Sequence, residues 1–287
     1  MRSKLFVPGA RPELFAKALA GPADALSIDL EDSVAENRKS EARERVSEFL
    51  RSAEIRATRK VIIVRTNALD SPHFEADALA IAQPVLAMLN LPKTESADDI
   101  RATVAVLERA ETAQGLPNRI GILANIETPR GLRSAAAIAS AHPRVAGLQL
   151  GLGDLFEPLG IERRDVANVH AAMFALRVAA GEAGIFAYDG AFADVHDLQG
   201  YRAEAEMAHR LGYWGKSCVH PSQVALANEV FRPSDAEIAY AHRVLEASHR
   251  AQLQGVGAFM VDGRMIDIPF IRRAQAIVAR SRRMDPT

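Results

Sequence analysis

The chain has 287 residues, a formal net charge of -1 and 25% charged residues, which leaves no basic surplus for a polyanionic partner and argues against nucleic acid. That length can bury one large α/β barrel or two smaller domains. The single cysteine, Cys218, excludes an intramolecular disulfide, and the passage from Arg2 and Lys4 straight into Leu5-Phe6-Val7-Pro8 predicts neither a leader nor a membrane span, hence a cytoplasmic protein.

In chain order, short apolar runs of strand length alternate with longer stretches of helical periodicity, the pattern of a parallel sheet with crossover helices. The runs are 5–8, 25–30, 60–66, 85–92, 119–126, 145–151, 184–188 and 213–219, eight in all. Between them, residues 38–50 place Ala42, Val46, Phe49 and Leu50 on one side with charges opposite, as a helix would. Ser96-Ala-Asp-Asp99 offers a serine N-cap with an acid three residues later, ahead of Ile100, Val104 and Leu107. Beyond the eighth run, Ser234-Asp-Ala-Glu237 reads as a capping box opening a helix to about Arg250, and a last helix runs from Pro269 towards Arg282. A glycine-punctuated link, 255–263, joins the two.

Eight strand-helix units in roughly 230 residues fit a (β/α)8 TIM barrel better than a doubly wound sheet, which more often has five to seven strands. The predicted organisation is a barrel over 1–231 and a C-terminal helical extension over 232–287 that carries a lid segment.

In such a barrel the reactive groups lie where strands run out into their βα loops. Strand two ends in Asp29, Glu31 and Asp32, three in Arg65 and Asn67, four in Lys93, five in Glu127, six in Asp154, seven in Asp189, and eight in Lys216 and His220. Taken singly, a carboxylate after a strand is often a helix cap and an arginine often a salt-bridge partner. Their gathering at one rim is harder to dismiss. The run Val145 to Asp154 is read as a doubly buried strand delivering Asp154 at its last residue, next to the strand that ends in Glu127. Two carboxylates from adjacent strands, with no His or Cys nearby, suit a hard ion such as Mg²⁺, which keeps waters or substrate oxygens in its open positions. Gly151 and Gly153 would let backbone approach a ligand closely, or simply form a turn.

Arg65 is suited to bind a carboxylate or stabilise an enolate oxygen. Lys93 is expected to pair with Asp29, Glu31 or Asp32 and not to form a Schiff base. His220, before Pro221, is open between base, polar contact and cap. Cys218 is read as core. Arg11, Arg130 and Lys216 are basic residues near the rim with no assignable role.

At these positions the sequence resembles the citrate lyase beta-subunit-like branch of the HpcH/HpaI aldolase family. The matching stretches include Arg2 to Gly9, Asp29-Leu-Glu-Asp-Ser-Val34, Val64-Arg-Thr-Asn67, Leu91-Pro-Lys93, Ile126 to Gly131, Leu150 to Leu155, Ala187 to Gly190 and Gly215 to Gln223. The resemblance implies a Mg²⁺-dependent (β/α)8 lyase in which Glu127 and Asp154 hold the metal and Arg65 contacts the substrate near its carbonyl. It also implies a role for Gly263-Arg-Met-Ile-Asp-Ile-Pro269. Relatives that cleave acyl-CoA thioesters carry a catalytic acid in this segment, here Asp267, and bring it to a neighbouring subunit of a homotrimer. An N-cap for the helix opening at Pro269 is the plainer role for Asp267, and both can hold.

The chemistry so implied is cleavage or formation of a carbon-carbon bond beside a thioester, with citramalyl-CoA, malyl-CoA and β-methylmalyl-CoA as substrate types. Alternatives are a citrate lyase beta subunit acting on an acyl-carrier-protein thioester, or a class II aldolase acting on free 2-keto acids, against which Asp267 weighs. A barrel that has lost activity and serves as a binding protein is a further alternative; the joint presence of Arg65, Glu127, Asp154 and Asp267 argues against it.

Overall fold

Period-two alternation sorts the strand side chains of the first 231 residues into two populations. A computed structural model describes residues 1–117 and 119–284. Eight parallel strands run in the order β7-β6-β5-β4-β3-β2-β1-β8: β1 (Ser3–Pro8), β2 (Ala25–Asp29), β3 (Val61–Arg65), β4 (Leu86–Leu91), β5 (Gly121–Ile126), β6 (Val145–Leu150), β7 (Phe186–Tyr188) and β8 (Lys216–Cys218). Sequential neighbours with no reversal exclude a doubly wound sheet, whose strand order switches direction.

Residues such as Leu26, Ile28, Ile62, Val64, Leu89, Ile122, Ala124, Leu148 and Leu150 join the helices in the main apolar core. Their alternates turn inward, where Ala25, Ile63, Met88 and Leu123 form a separate small cluster at the strand starts. One residue-pair further along each strand, the interior becomes polar. Asp29 and Arg65 are register partners on β2 and β3, and Asn125 and Gln149 are register partners on β5 and β6. The alternation thus plugs the bottom of the barrel with hydrocarbon and leaves the top for polar groups.

The barrel is nearly closed. Between β7 and β8 the strands are short, and the link is a single parallel bridge, Asp189 to Lys216. Three backbone bonds hold this seam: Trp214 N–H to Ala187 C=O at 3.0 Å, Asp189 N–H to Gly215 C=O at 3.0 Å, and Ser217 N–H to Asp189 C=O at 3.1 Å. Behind it, the Lys216 ammonium donates to Asp189 at 2.7 Å and to Glu204 at 2.6 Å, and Arg163 grips both oxygens of Glu204 at 2.7 and 3.0 Å. Lys216 is therefore an interior cation and not the rim residue its position after an apolar run suggests. Burial works against its charge, but the two carboxylates outweigh that and raise its pKa.

The helices form for the reasons legible in their sequences. The 39–50 helix buries Ala42, Val46 and Leu50. The helix Ala97–Gln114 starts at a complete capping box between Ser96 and Asp99 and ends at Gly115 in the left-handed conformation. His220 is an N-cap, its side chain accepting from the Ser222 N–H.

The chain from Arg232 onward forms a second compact unit. Ser234 and Glu237 close a capping box at the start of the helix Asp235–Leu253, and a second helix spans Ile268–Met284. Ala241, Val244, Val261, Ile266, Ala274 and Val278 make its core. The glycine-punctuated link between the helices opens into an antiparallel hairpin, β9 (Phe259–Val261) and β10 (Arg264–Ile266). Its two-residue turn is Asp262-Gly263, both with positive φ (51° and 77°), the arrangement that matches strand twist in tight hairpins. Arg243 holds Asp262 at 2.8 Å.

Candidate active site

The C-terminal ends of the strands open into a cavity of about 810 Å³ lined by Phe6, Asp29, Asp32, Arg65, Asn125, Glu127, Gln149, Asp154, Arg163 and Phe192, among others. Five of the acids and bases expected at the rim, Asp29, Asp32, Arg65, Glu127 and Asp154, line it.

Arg65, the last residue of β3, is fixed from three sides. Its Nε and Nη2 donate to the two oxygens of Asp29 at 2.7 and 2.9 Å, a bidentate pair, and its Nη1 donates to Asp32 at 3.2 Å. Glu31 Oε2 lies 2.9 Å from Nη1 but off the hydrogen-bond angle, so it contributes charge without a directed bond. The guanidinium also lies over the Phe6 ring at 5.2 Å. Burial disfavours its charge, yet these carboxylates raise its pKa, and Arg65 stays a cation. Asp29 is buried too. Burial pushes its carboxyl up, but the Arg65 fork and the Glu31 and Ser33 donors hold it below the usual range.

Lys93 follows β4 in a left-handed backbone conformation, φ 48°, which is uncommon for a residue with a side chain. That conformation points its N–H at Glu127 Oε1, 2.7 Å away, while its ammonium pairs with Glu31 at 2.7 Å. Asp32 is a weaker partner at 3.8 Å, and Asp29, committed to Arg65, is not a partner of Lys93.

Glu127 follows β5 and is 2% exposed. Its second oxygen accepts from Asn125 Nδ2 at 2.6 Å, and Asn125 in turn accepts from Gln149 Nε2 at 2.5 Å. Gln149 Oε1 accepts from the Lys4 ammonium. Burial pushes the Glu127 carboxyl up to about 7; the Lys93 N–H works against this, and the negative charges of Glu31 and Asp154 add to it. Gly151 makes room for this side chain: a Cβ there would stand 2.4 Å from Glu127 Oε2 and 2.5 Å from Glu127 Cβ.

Asp154 differs from expectation. β6 stops at Leu150, the Gly151 N–H bonds Ile126 C=O, and the chain turns at once into the short helix Leu152–Phe156. Asp154 sits in its first turn, exposed to the cavity instead of ending the strand.

The sequence reading missed Lys4, Asn125 and Gln149. Their signal was available: each is a polar residue at an inward position of an otherwise apolar strand. Cys218, Asn67 and Asp189 are not cavity groups. Cys218 is buried beside the Tyr201 hydroxyl, Asn67 bonds Asp77 at 2.7 Å, and Asp189 belongs to the Lys216 seam.

Arg65 and Lys93 pair with Asp29, Glu31 and Asp32, and Glu157, Glu162, Asp194, Arg163 and Arg164 also belong to the charged lining of the cavity or its approach. Neither Glu127 nor Asp154 takes part in a salt bridge among the described residues. Burial raises the Glu127 carboxyl and the negative charge of Asp154 adds to this, while each Glu127 oxygen keeps a lone pair beyond its single N–H donor. The residues present therefore fit a hard divalent cation with an open coordination shell.

The model of HpcH/HpaI aldolase/citrate lyase matches residues 2–221. The chain belongs to that family. It is a lyase of the citrate lyase beta-like kind. It is 34% identical, over 96% of its length and 93% of the relative's, to the L-malyl-CoA/beta-methylmalyl-CoA lyase of Cereibacter sphaeroides. It is 37% identical, over 98% of its length and 93% of the relative's, to citrate lyase subunit beta of Escherichia coli K12. Among solved structures, protein CitE of Mycobacterium tuberculosis in complex with magnesium, acetoacetate and coenzyme A superposes with a TM-score of 0.75 at 32% identity, covering 98% of this chain and 99% of that one. A citrate lyase beta subunit of the same organism, complexed with oxaloacetate and magnesium, gives 0.66 at 32% identity, covering 81% of this chain and 97% of that one. No helix among the described residues is long and apolar enough to cross a membrane.

Proposed function

We propose that this protein is a Mg²⁺-dependent carbon-carbon lyase that cleaves, or in reverse forms, a 3-hydroxy-acyl-CoA thioester of the malyl-CoA or citramalyl-CoA type. The observation that carries the reading is the opposition, around one cavity, of a fixed guanidinium at Arg65 and an unneutralised carboxylate pair at Glu127 and Asp154. A magnesium-bound structure with coenzyme A among the relatives, and the thioester lyases among the similar sequences, support it.

Glu127 and Asp154 would hold Mg²⁺, which when bound supplies a Lewis acid for the carboxylate and hydroxyl oxygens of the substrate. Arg65 acts at the other fragment. As the hydroxyl passes its proton to solvent and becomes a carbonyl, the carbon-carbon bond beside it breaks and its electron pair moves into the thioester. The negative charge that collects on the thioester oxygen is met by the Arg65 guanidinium, which Asp29 and Asp32 hold in one orientation, so little reorganisation is needed. Asp267 is proposed as the acid that protonates the resulting enolate carbon, and in reverse as the base that removes that proton. It precedes the helix Ile268–Met284, and its Oδ1 is buried with no hydrogen-bond partner among the described residues. We propose that it serves the cavity of a neighbouring copy in a homotrimer.

The test is a screen of 3-hydroxy-acyl-CoA thioesters with Mg²⁺, read by mass spectrometry for released acetyl-CoA or propionyl-CoA. Glu127→Ala and Asp154→Ala abolish the release and stay folded if the reading holds. Release of neither product from any thioester in the panel would sink it. A second reading, cleavage of a thioester on an acyl-carrier protein, is favoured by the similarity to citrate lyase subunit beta; presenting the same acyl group on CoA and on a carrier protein separates the two.

A further inference from the structure

The barrel interior carries a polar thread that the proposed chemistry does not use. Lys4, on β1, is fully buried, and none of the ion pairs among the described residues includes it. Its ammonium lies 4.5 Å from the Phe6 ring centre and 5.5 Å from that of Tyr188, and it donates to Gln149 Oε1. Gln149 Nε2 donates to Asn125 Oδ1, and Asn125 Nδ2 donates to Glu127 Oε2.

An amide side chain can be turned end for end at little steric cost, so a chain of two amides has no direction of its own. Here both ends impose one. A lysine ammonium offers only N–H, so Gln149 must present its carbonyl to Lys4 and its NH₂ to Asn125. Once ionised, the Glu127 carboxylate only accepts, so Asn125 must then present its NH₂ to it. Gln149 and Asn125 are register partners on adjacent strands, which holds the two amides side by side.

We propose that Lys4 is a positioning residue for Glu127. Through Gln149 and Asn125 it keeps an N–H on Glu127 Oε2 and so decides which lone pairs of that carboxylate remain for a cation. Without Lys4 the amides are free to invert, and Asn125 can turn its carbonyl towards the carboxylate, pushing it off its orientation. The proposal rests on the reading of Glu127 as a Mg²⁺ ligand.

The test is calorimetric titration of metal-free protein with Mg²⁺ alone, beside a thermal melt, for Lys4→Met, Gln149→Glu and the control Glu127→Gln. Gln149→Glu gives Lys4 a partner for an ion pair but leaves no N–H for Asn125. It should melt at or above the wild-type temperature and still bind Mg²⁺ about tenfold more weakly, the usual cost of losing a group that orients a ligand. Lys4→Met should show the same loss, and if it does not fold, Gln149→Glu decides alone. Both changes make the interior more negative, so a pure field effect would tighten Mg²⁺ binding. Unchanged or tighter affinity in the folded variants, with binding lost in Glu127→Gln, overturns the role of Lys4. Wild-type affinity in Glu127→Gln instead removes Glu127 as a ligand, and the proposal falls with it.

Discussion

Asp29 and Arg65 are register partners on adjacent parallel strands, and their side chains meet as a bidentate ion pair at 2.7 and 2.9 Å. The pairing of the strands is thus also the pairing of the charges, and the guanidinium is aimed by the sheet itself. Arg65→Lys tests what that geometry contributes. An ammonium keeps the charge but cannot hold both Asp29 oxygens and reach Asp32 at once. We expect kcat/KM to fall by about 10²- to 10³-fold, the cost of removing one aimed donor from a developing oxyanion, while the fold survives in circular dichroism. Activity within a factor of three of wild type would show that charge alone suffices.

Gly151 is needed for space. Gly151→Ala puts a methyl group 2.4 Å from Glu127 Oε2 and forces that carboxylate to move. Overpacking of this kind costs roughly 1–3 kcal/mol, and most of the effect should fall on Mg²⁺ dependence instead of melting temperature. A titration of activity against Mg²⁺ should move to higher concentration. An unchanged midpoint would mean that Glu127 is not where the cation sits.

The Lys216 seam gives a stability prediction far from the cavity. Lys216→Met leaves Asp189 and Glu204 buried near each other, with Arg163 as the remaining counter-charge only for Glu204. Breaking a buried ion pair from one side costs about 3–5 kcal/mol. Urea unfolding should show that loss, and the double change Lys216→Met with Asp189→Asn should recover part of it. A loss below 1 kcal/mol, on the order of an exposed pair, would contradict the burial described.

Glu127 sets a pH dependence whose sign is opposite to that of an ordinary paired acid. Its folded carboxyl is pushed up to about 7 from an ordinary value of 4.5, so between those values the folded metal-free protein holds a proton that the unfolded chain has released. Stability therefore falls as pH rises across that window, by an amount on the order of 3 kcal/mol at most. The measurement is the wild-type minus Glu127→Gln difference in urea stability, in the presence of a chelator, at pH 5 and pH 8. The difference should favour wild type at the lower pH. A pH-independent difference would show that the carboxyl is not raised.

The fold was largely legible because a parallel barrel repeats one local signal. Each apolar run is short enough to be a strand, and each crossover carries its own caps, as at Ser96 and Ser234. The ends were less legible. Asp154 was assigned to the strand because glycine and leucine continue the apolar run past Leu150, whereas the backbone turns at Gly151 to bond Ile126. The hairpin of the second unit was hidden for the opposite reason: Asp262-Gly263 is a strong turn signal, but three-residue strands on either side are too short to show alternation. The rim acids and Arg65 were visible from their positions after strands. The interior thread is not legible, since Lys4 in Lys4-Leu-Phe-Val reads as an interruption of a strand until the inward face of that strand is known to be polar.

The seam between β7 and β8 has a consequence for inheritance. Where the other seven junctions are maintained by regular backbone ladders, this one has three backbone bonds about a single bridge and is reinforced by the buried charges of Arg163, Asp189, Glu204 and Lys216. A change at one of the four leaves a buried charge that the rest cannot cancel. At the closure of the barrel, descendants of this chain must keep these four together or replace them together.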